Sequence, residues 1–202
     1  MSTTGSDLKE RVQVQRLLHE PEAHTYAWTV ERGIWAAAEQ DTRNNLFSSV
    51  GVGARGITFT IRRSRALTLI NSILWRGRFC FLTSIVDGDP GFQVVKAALC
   101  EPTPLTAEPQ DRKGRDNLNR PVAIRQEPFH FPGILTEKYF RNEADDVYRA
   151  ETLQRVLVTP KVISLRPGDL IRSQEEAPYT VRQTLDLDPY KNEYILERRG
   201  DA

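Results

Sequence analysis

A chain of 202 residues has room for one large domain or two small ones. Its 28 lysines and arginines balance 27 aspartates and glutamates to a formal charge of +1, so no bulk electrostatic pull draws it to nucleic acid or anionic lipid, although a local basic patch is compatible with that total. The apolar and charged fractions are those of a soluble globular protein. Cys80 and Cys100, the only cysteines, each sit in an apolar run, which favours buried free thiols in a reducing compartment over a disulfide framework. The opening MSTTGSDLKERVQVQ lacks the apolar stretch of a signal peptide, and no run approaches the roughly 20 apolar residues of a membrane span. The expectation is a protein made in, and staying in, a cytoplasm-like compartment.

Residues 1–7 are small and polar and read as a loose tail. Arg11 to Arg16 alternate cleanly, which places a first strand within Leu8 to Leu18. His19 to Thr25, with Pro21, reads as a turn. Tyr26 to Gln40 scores as helix on its alanines, but Trp28, Val30, Ile34 and Trp35 favour a strand, with Gly33 at a bulge. Asp41 to Phe47 fits a single helical turn capped by Asp41 or Thr42, and Ser48 to Gly56 reads as a loop. Ile57, Phe59 and Ile61 then alternate with Thr58 and Thr60, the period of two that sets one face of a strand on a core. Phe79, Phe81 and Thr83 alternate around Cys80 and Leu82. Trp75-Arg76-Gly77-Arg78 predicts a tight hairpin with Gly77 at positive φ, and Asp87 to Gly91 is a turn before a closing strand from Phe92 to Leu99.

From Glu101 to Arg120 prolines and charges displace large apolar residues, so 102–120 is expected as a linker and the second domain from Pro121 to 202. That second part echoes the first about one hundred positions on. Val122 to Arg125 takes the place of the Val12 strand, Gly133-Ile134 that of Gly33-Ile34, and Asp145 to Tyr148 that of Asn44 to Phe47. Val156 to Thr159 replaces the Ile57 strand, and Pro178 to Val181 echoes Arg78 to Phe81. Asp186 to Pro189 matches the Asp87 turn, and Glu193 to Glu197 closes as Gln93 to Leu99 does. Within Leu135 to Arg155, helix formers and the spacing of Phe140, Ala144 and Val147 predict a helix over about 136–154. The fold expected is mainly β: two small antiparallel barrels or sandwiches in tandem, over 8–101 and 121–202, the second with an inserted helix.

Read in order, LKERVQVQR, the tryptophan pair Trp28 and Trp35 around ERGIWA, ITFTIRRS, LWRGRFCFLTSIVD and the closing Leu99-Cys100 resemble the head–tail joining (head-closure, or stopper) proteins of tailed bacteriophages. In that family LRHRVTIQR-like, VTFTIRYR-like and WRGRxYxITSI-like segments recur in the same order. The resemblance covers residues 8–101, about the length of a whole family member, and leaves 103–202 outside it. The hairpin aromatic of the pattern falls on Cys80 or Phe79, depending on register. The resemblance implies a structural protein of the virion neck, assembled in the host cytoplasm, and not an enzyme. Its implied partners are further copies of itself in a ring of six or twelve, portal and adaptor proteins on the head side, tail proteins on the other, and packaged double-stranded DNA in the channel. No membrane is implied. Arg43, Asn44, Asn45, Phe47 and Arg55 are the candidate loop reaching the lumen or the neighbouring ring, because Arg43 and Arg55 would face phosphates regardless of sequence. Arg62, Arg63 and Arg65 are a second candidate contact, weighed against a solvated turn.

Other chemistry is set aside. His19, His24 and His130 lack metal-ligand spacing, and the cysteines form no CxxC pair. Asp87-Gly88-Asp89 and Asp186-Leu187-Asp188 lack the further oxygen ligands of a calcium loop. Asp145-Asp146 and Glu175-Glu176 have no third group to make a catalytic set. No GxxxxGK[ST] or GxSxG occurs, and the one GxGxxG spelling, Gly51 to Gly56, runs from a loop into the Ile57 strand and opens no helix, so neither enzyme, cofactor nor metal is expected. The alternatives are a tail-completion or tail-terminator protein, and a small-barrel module binding single-stranded nucleic acid through aromatics on a basic face.

Overall fold

The computed structural model describes residues 5–40, 55–115, 118–141, 151–174, 177–186 and 188–199. Among them are a short 3-10 turn, Gly5–Asp7, and fourteen strands. No helix among the described residues is long and apolar enough to cross a membrane. The chain divides into two compact units. The first comprises Met1–Leu18, Trp28–Pro102 and Thr136–Tyr139, and the second His19–Ala27, Thr103–Leu135 and Phe140–Ala202.

Six strands carry the first unit: β1 (Glu10–Glu20), β2 (Thr25–Gln40), β3 (Arg55–Arg62), β4 (Asn71–Trp75), β5 (Arg78–Asp87) and β6 (Phe92–Leu99). Their hydrogen-bonded order is β1-β4-β5-β6-β3-β2, and β1 also pairs with β2, so within this set each has two strand partners. Alternation explains the core. Val12 and Val14, Ile57, Phe59 and Ile61, Ile73 and Trp75, Cys80 and Leu82, and Val95, Ala97 and Leu99 all point to one buried cluster. On β5 the inward residues are therefore Cys80 and Leu82, while half-buried Phe79 packs its ring 5.3 Å from that of Trp28. Between Leu82 and Ser84 the β5–β6 register skips a residue. This bulge at Thr83 resets the alternation, so that Ile85 packs against the core and Val86 turns out.

Gly77 has φ 74°, as its place in the β4–β5 turn requires, but Arg76 before it also lies in the left-handed region, at φ 50°. A non-glycine residue there is strained. Arg76 is held by contacts: its guanidinium stacks 4.8 Å above the Trp75 ring and pairs with the Glu10 carboxylate. Gly91, at φ 84°, ends the Asp87–Gly91 turn, where the Phe92 N–H donates to Asp89 O at 2.8 Å.

In the second unit β7 (Thr103–Glu108), β10 (Phe129–Arg141), β11 (Glu151–Pro160), β12 (Leu170–Ser173), β13 (Tyr179–Leu185) and β14 (Lys191–Arg198) run in the order β7-β12-β13-β14-β11-β10, with β7 and β10 also paired. This is the strand order of the first unit over again. The registers agree in detail: Cys80 lies opposite Leu99 as Tyr179 lies opposite Arg198, and Leu82 opposite Ala97 as Val181 opposite Leu196. The skipped residue recurs too, between Val181 and Gln183. Ile73 sits between Val14 and Cys80 as Ile171 sits between Ala107 and Tyr179. At the centre of this unit Tyr194 is fully buried, its hydroxyl donating to Ile163 O at 2.7 Å and accepting the Leu165 N–H at 3.1 Å.

Three expectations are corrected. The helix over 136–154 is absent where the chain is described: residues 136–141 belong to β10 and 151–154 to β11, and 142–150 lie outside the described residues. The helical spacing of a few apolar residues is outweighed by ladder hydrogen bonds to neighbouring strands. The expected linker 102–120 contains β7, whose Leu105 and Ala107 are buried; a strand of alternating small and apolar residues was hidden among the prolines. The counterpart of the Val12 strand is accordingly β7. Among the described residues the Val122 strand, β9 (Pro121–Ile124), pairs only with β8 (Arg112–Arg115), in a separate two-stranded ladder.

Candidate functional site

Of the residues singled out as a lumen or ring-contact loop, Arg43, Asn44, Asn45 and Phe47 lie outside the described residues. Arg55 is not in a loop: it is the exposed first residue of β3, opposite Leu99. Arg62 is the exposed last residue of the same strand, opposite Phe92. Seven strand steps separate the two, roughly 23 Å. The two candidate contacts therefore stand at opposite ends of β3, and the structure does not bring them together.

At the Arg62 end the backbone is pinned. The Arg63 N–H donates to Gly91 O at 2.9 Å, and the Ser64 N–H to Gln93 Oε1 at 3.2 Å. Arg63 reaches Asp87 at 3.1 Å, while Arg65 is exposed in the turn that follows. Part of this positive charge is thus neutralised, in an exposed pair where solvent screening leaves little energy. What remains is a set of arginines on a fixed turn, able to meet an anionic surface without reorganising its backbone.

A second arginine site was not anticipated. Glu10 Oε2 accepts the Trp75 indole N–H at 2.9 Å and the Arg76 Nε–H at 3.0 Å, tying the start of β1 to the β4–β5 turn. These bonds, first that from Arg76 and then that from Trp75, hold the Glu10 carboxyl below its ordinary pKa, and the same pair raises Arg76. WRG is legible as a hairpin; its partner, 65 residues earlier, is not.

The two thiols are free. Burial pushes both up to about 12, against a weak opposing effect of the Arg78 charge on Cys80 and a backbone hydrogen bond from Phe81 on Cys100. Neither is an activated nucleophile. In the second unit a cleft of about 440 Å³ is lined by Gln110, Arg112, Glu127, Phe129, Arg166 and Asp169 among others. Asp169, the buried acid in its wall, is engaged by the backbone: one oxygen accepts the Gln110 N–H at 3.0 Å, the other the Arg166 N–H at 2.7 Å. It braces a turn. Nearby, His24 pairs with Glu127 at 2.9 Å, and rings of His19, Tyr26, Phe129 and Phe131 form a continuous aromatic row. Among the described residues, no three His, Cys, Asp or Glu side chains converge to hold a metal ion.

No protein-family model matches the chain, and no curated protein matches it.

Proposed function

We propose that this chain is a structural neck protein of a tailed phage, forming a ring at the head–tail connector that closes the DNA-filled head and offers a docking surface to the tail. One observation carries the reading. The segments behind the resemblance fall in order on β1, β2, β3 and the β4–β5 hairpin, with the closing Leu99-Cys100 at the end of β6, all within one unit and around one core. Each unit is, on this reading, a small barrel: a cycle in which every strand has two partners has no open edge. That suits a part that must stay stiff beside packed DNA and must not pair edge to edge before assembly. The second unit repeats the same strand order and supplies a second rigid element, widening the ring or forming its tail-side face. The Arg62, Arg63 and Arg65 turn and the Arg43 to Arg55 segment are the proposed contacts with DNA or with a neighbouring ring.

The test is genetic. Heads assembled with the chain absent should lose their DNA and carry no tails in electron micrographs, and adding the purified protein should restore both. Full heads that join tails without it would end the reading.

A further inference from the structure

Two copies of one topology invite a comparison of their differences. The strands β1 and β2 are joined by the four-residue turn Pro21–His24. Their counterparts, β7 and β10, are joined by residues 109–128, and this longer connection carries the β8–β9 ribbon. The ribbon is a ladder of its own, Arg112 opposite Ile124 through Arg115 opposite Pro121. Residues 122–125 are all exposed, with Val122 at 38% and Ile124 at 48%. A two-stranded ribbon is marginal in water on its own, and among the described residues this one pairs with no further strand, so its persistence points to a partner.

Its charge indicates which partner. From Asp111 to Arg125 the chain holds five basic residues against two acidic ones, more positive than the whole protein at +1. Arg112, Arg120 and Arg125 have exposed side chains. Two strands of four residues make a rod about 13 Å long with its strands about 4.8 Å apart. Such a ribbon enters the major groove of a duplex, about 12 Å wide, with arginines at its margins meeting both phosphate walls. We propose that the β8–β9 ribbon is a duplex-DNA-binding arm, taking the phosphate backbone without sequence preference. This is independent of the neck reading, since it concerns a site outside the segments that carry that reading.

The experiment uses the purified full chain and a 30-base-pair duplex of random sequence, with binding followed by fluorescence anisotropy from 50 to 200 mM salt. Each phosphate contact contributes about 0.9 to the slope of log K against log salt. The triple variant R112Q/R120Q/R125Q should therefore lower the slope by about 2 to 3 and weaken binding at least tenfold at 50 mM. The corresponding triple lysine variant should keep most of the slope, because backbone contacts need charge and not the guanidinium fork. R62Q/R63Q/R65Q should leave the ribbon's share intact. Three results would overturn the proposal: no salt-dependent binding by the native chain, a glutamine variant with the native slope, or a preference for single strands of equal length. A glutamine variant that binds DNA normally but loses self-association in mass photometry would also overturn it, assigning the ribbon to a second copy. None of these outcomes depends on whether tail-less heads leak.

Discussion

At the scale of single residues, Glu10 shows how one side chain can join parts of the chain that the sequence keeps apart. Its carboxylate serves both the Trp75 indole and the strained Arg76 turn. A carboxyl whose folded pKa lies below its unfolded value contributes stability that is complete above the unfolded pKa and is lost as pH falls through the folded one. Glu10→Gln keeps an oxygen for Trp75 but removes the charge. Thermal melts should show the variant less stable than the native chain at pH 7, with the gap closing below about pH 4.3; a gap of constant size from pH 7 to pH 2 would refute the charge argument. Gly133 tests packing. A Cβ there would lie 2.5 Å from Leu157 Cδ1 and 2.7 Å from Leu105 Cδ1, inside the core of the second unit. Gly133→Ala should cost about 1–3 kcal/mol in urea unfolding, as overpacked cores do. Gly77→Ala meets nothing within 4 Å, yet its φ of 74° carries the left-handed penalty, so about 1–2 kcal/mol is expected from strain alone.

At the scale of elements, the paired bulges are the feature to test. Deleting Thr83 removes the extra residue of β5 and leaves Ser84, Ile85 and Val86 opposite Lys96, Val95 and Val94, with Ile85 still inward. That variant should stay soluble and melt close to the native chain, whereas inserting one alanine between Ser84 and Ile85, which would carry Ile85 outward and Val86 inward, should lower the melting temperature well below it. A deletion variant that melts as low as the insertion variant would refute the register argument. The strands themselves were largely legible: alternation and β-branched content mark β1, β3 and β6, and Gly77 and Gly91 mark the β4–β5 and β5–β6 turns. Which face of β5 is inward was not, because Phe79 and Phe81 on one side and Cys80 and Leu82 on the other are all apolar. Neither was β7, for TPLTAE carries too few apolar residues to stand out without its neighbours.

At the scale of the molecule, the neck reading predicts a fixed stoichiometry. Averaged images of tailed particles with the chain labelled should place six or twelve copies in one ring between head and tail; label scattered over the capsid or along the tail would contradict it. The candidate site was legible only in part. The arginines of the Arg62 turn are obvious in the sequence, but their separation from Arg55 by the length of β3 is a matter of register. The ribbon's basic residues were visible as a charged stretch, and their composition alone reads as a linker.

The amino-acid sequence determined by itself that this is a strand-built protein, that its turns fall at particular glycines, and that its later half echoes its earlier one, because periodicity and backbone permissiveness are local properties. Only the tertiary structure decided that both halves run their strands in one order, that β7 replaces the supposed linker, and that the basic ribbon is a ladder of its own. The first two depend on hydrogen-bond partners far away in the chain, and pairing at long range leaves no mark on a stretch of residues read alone.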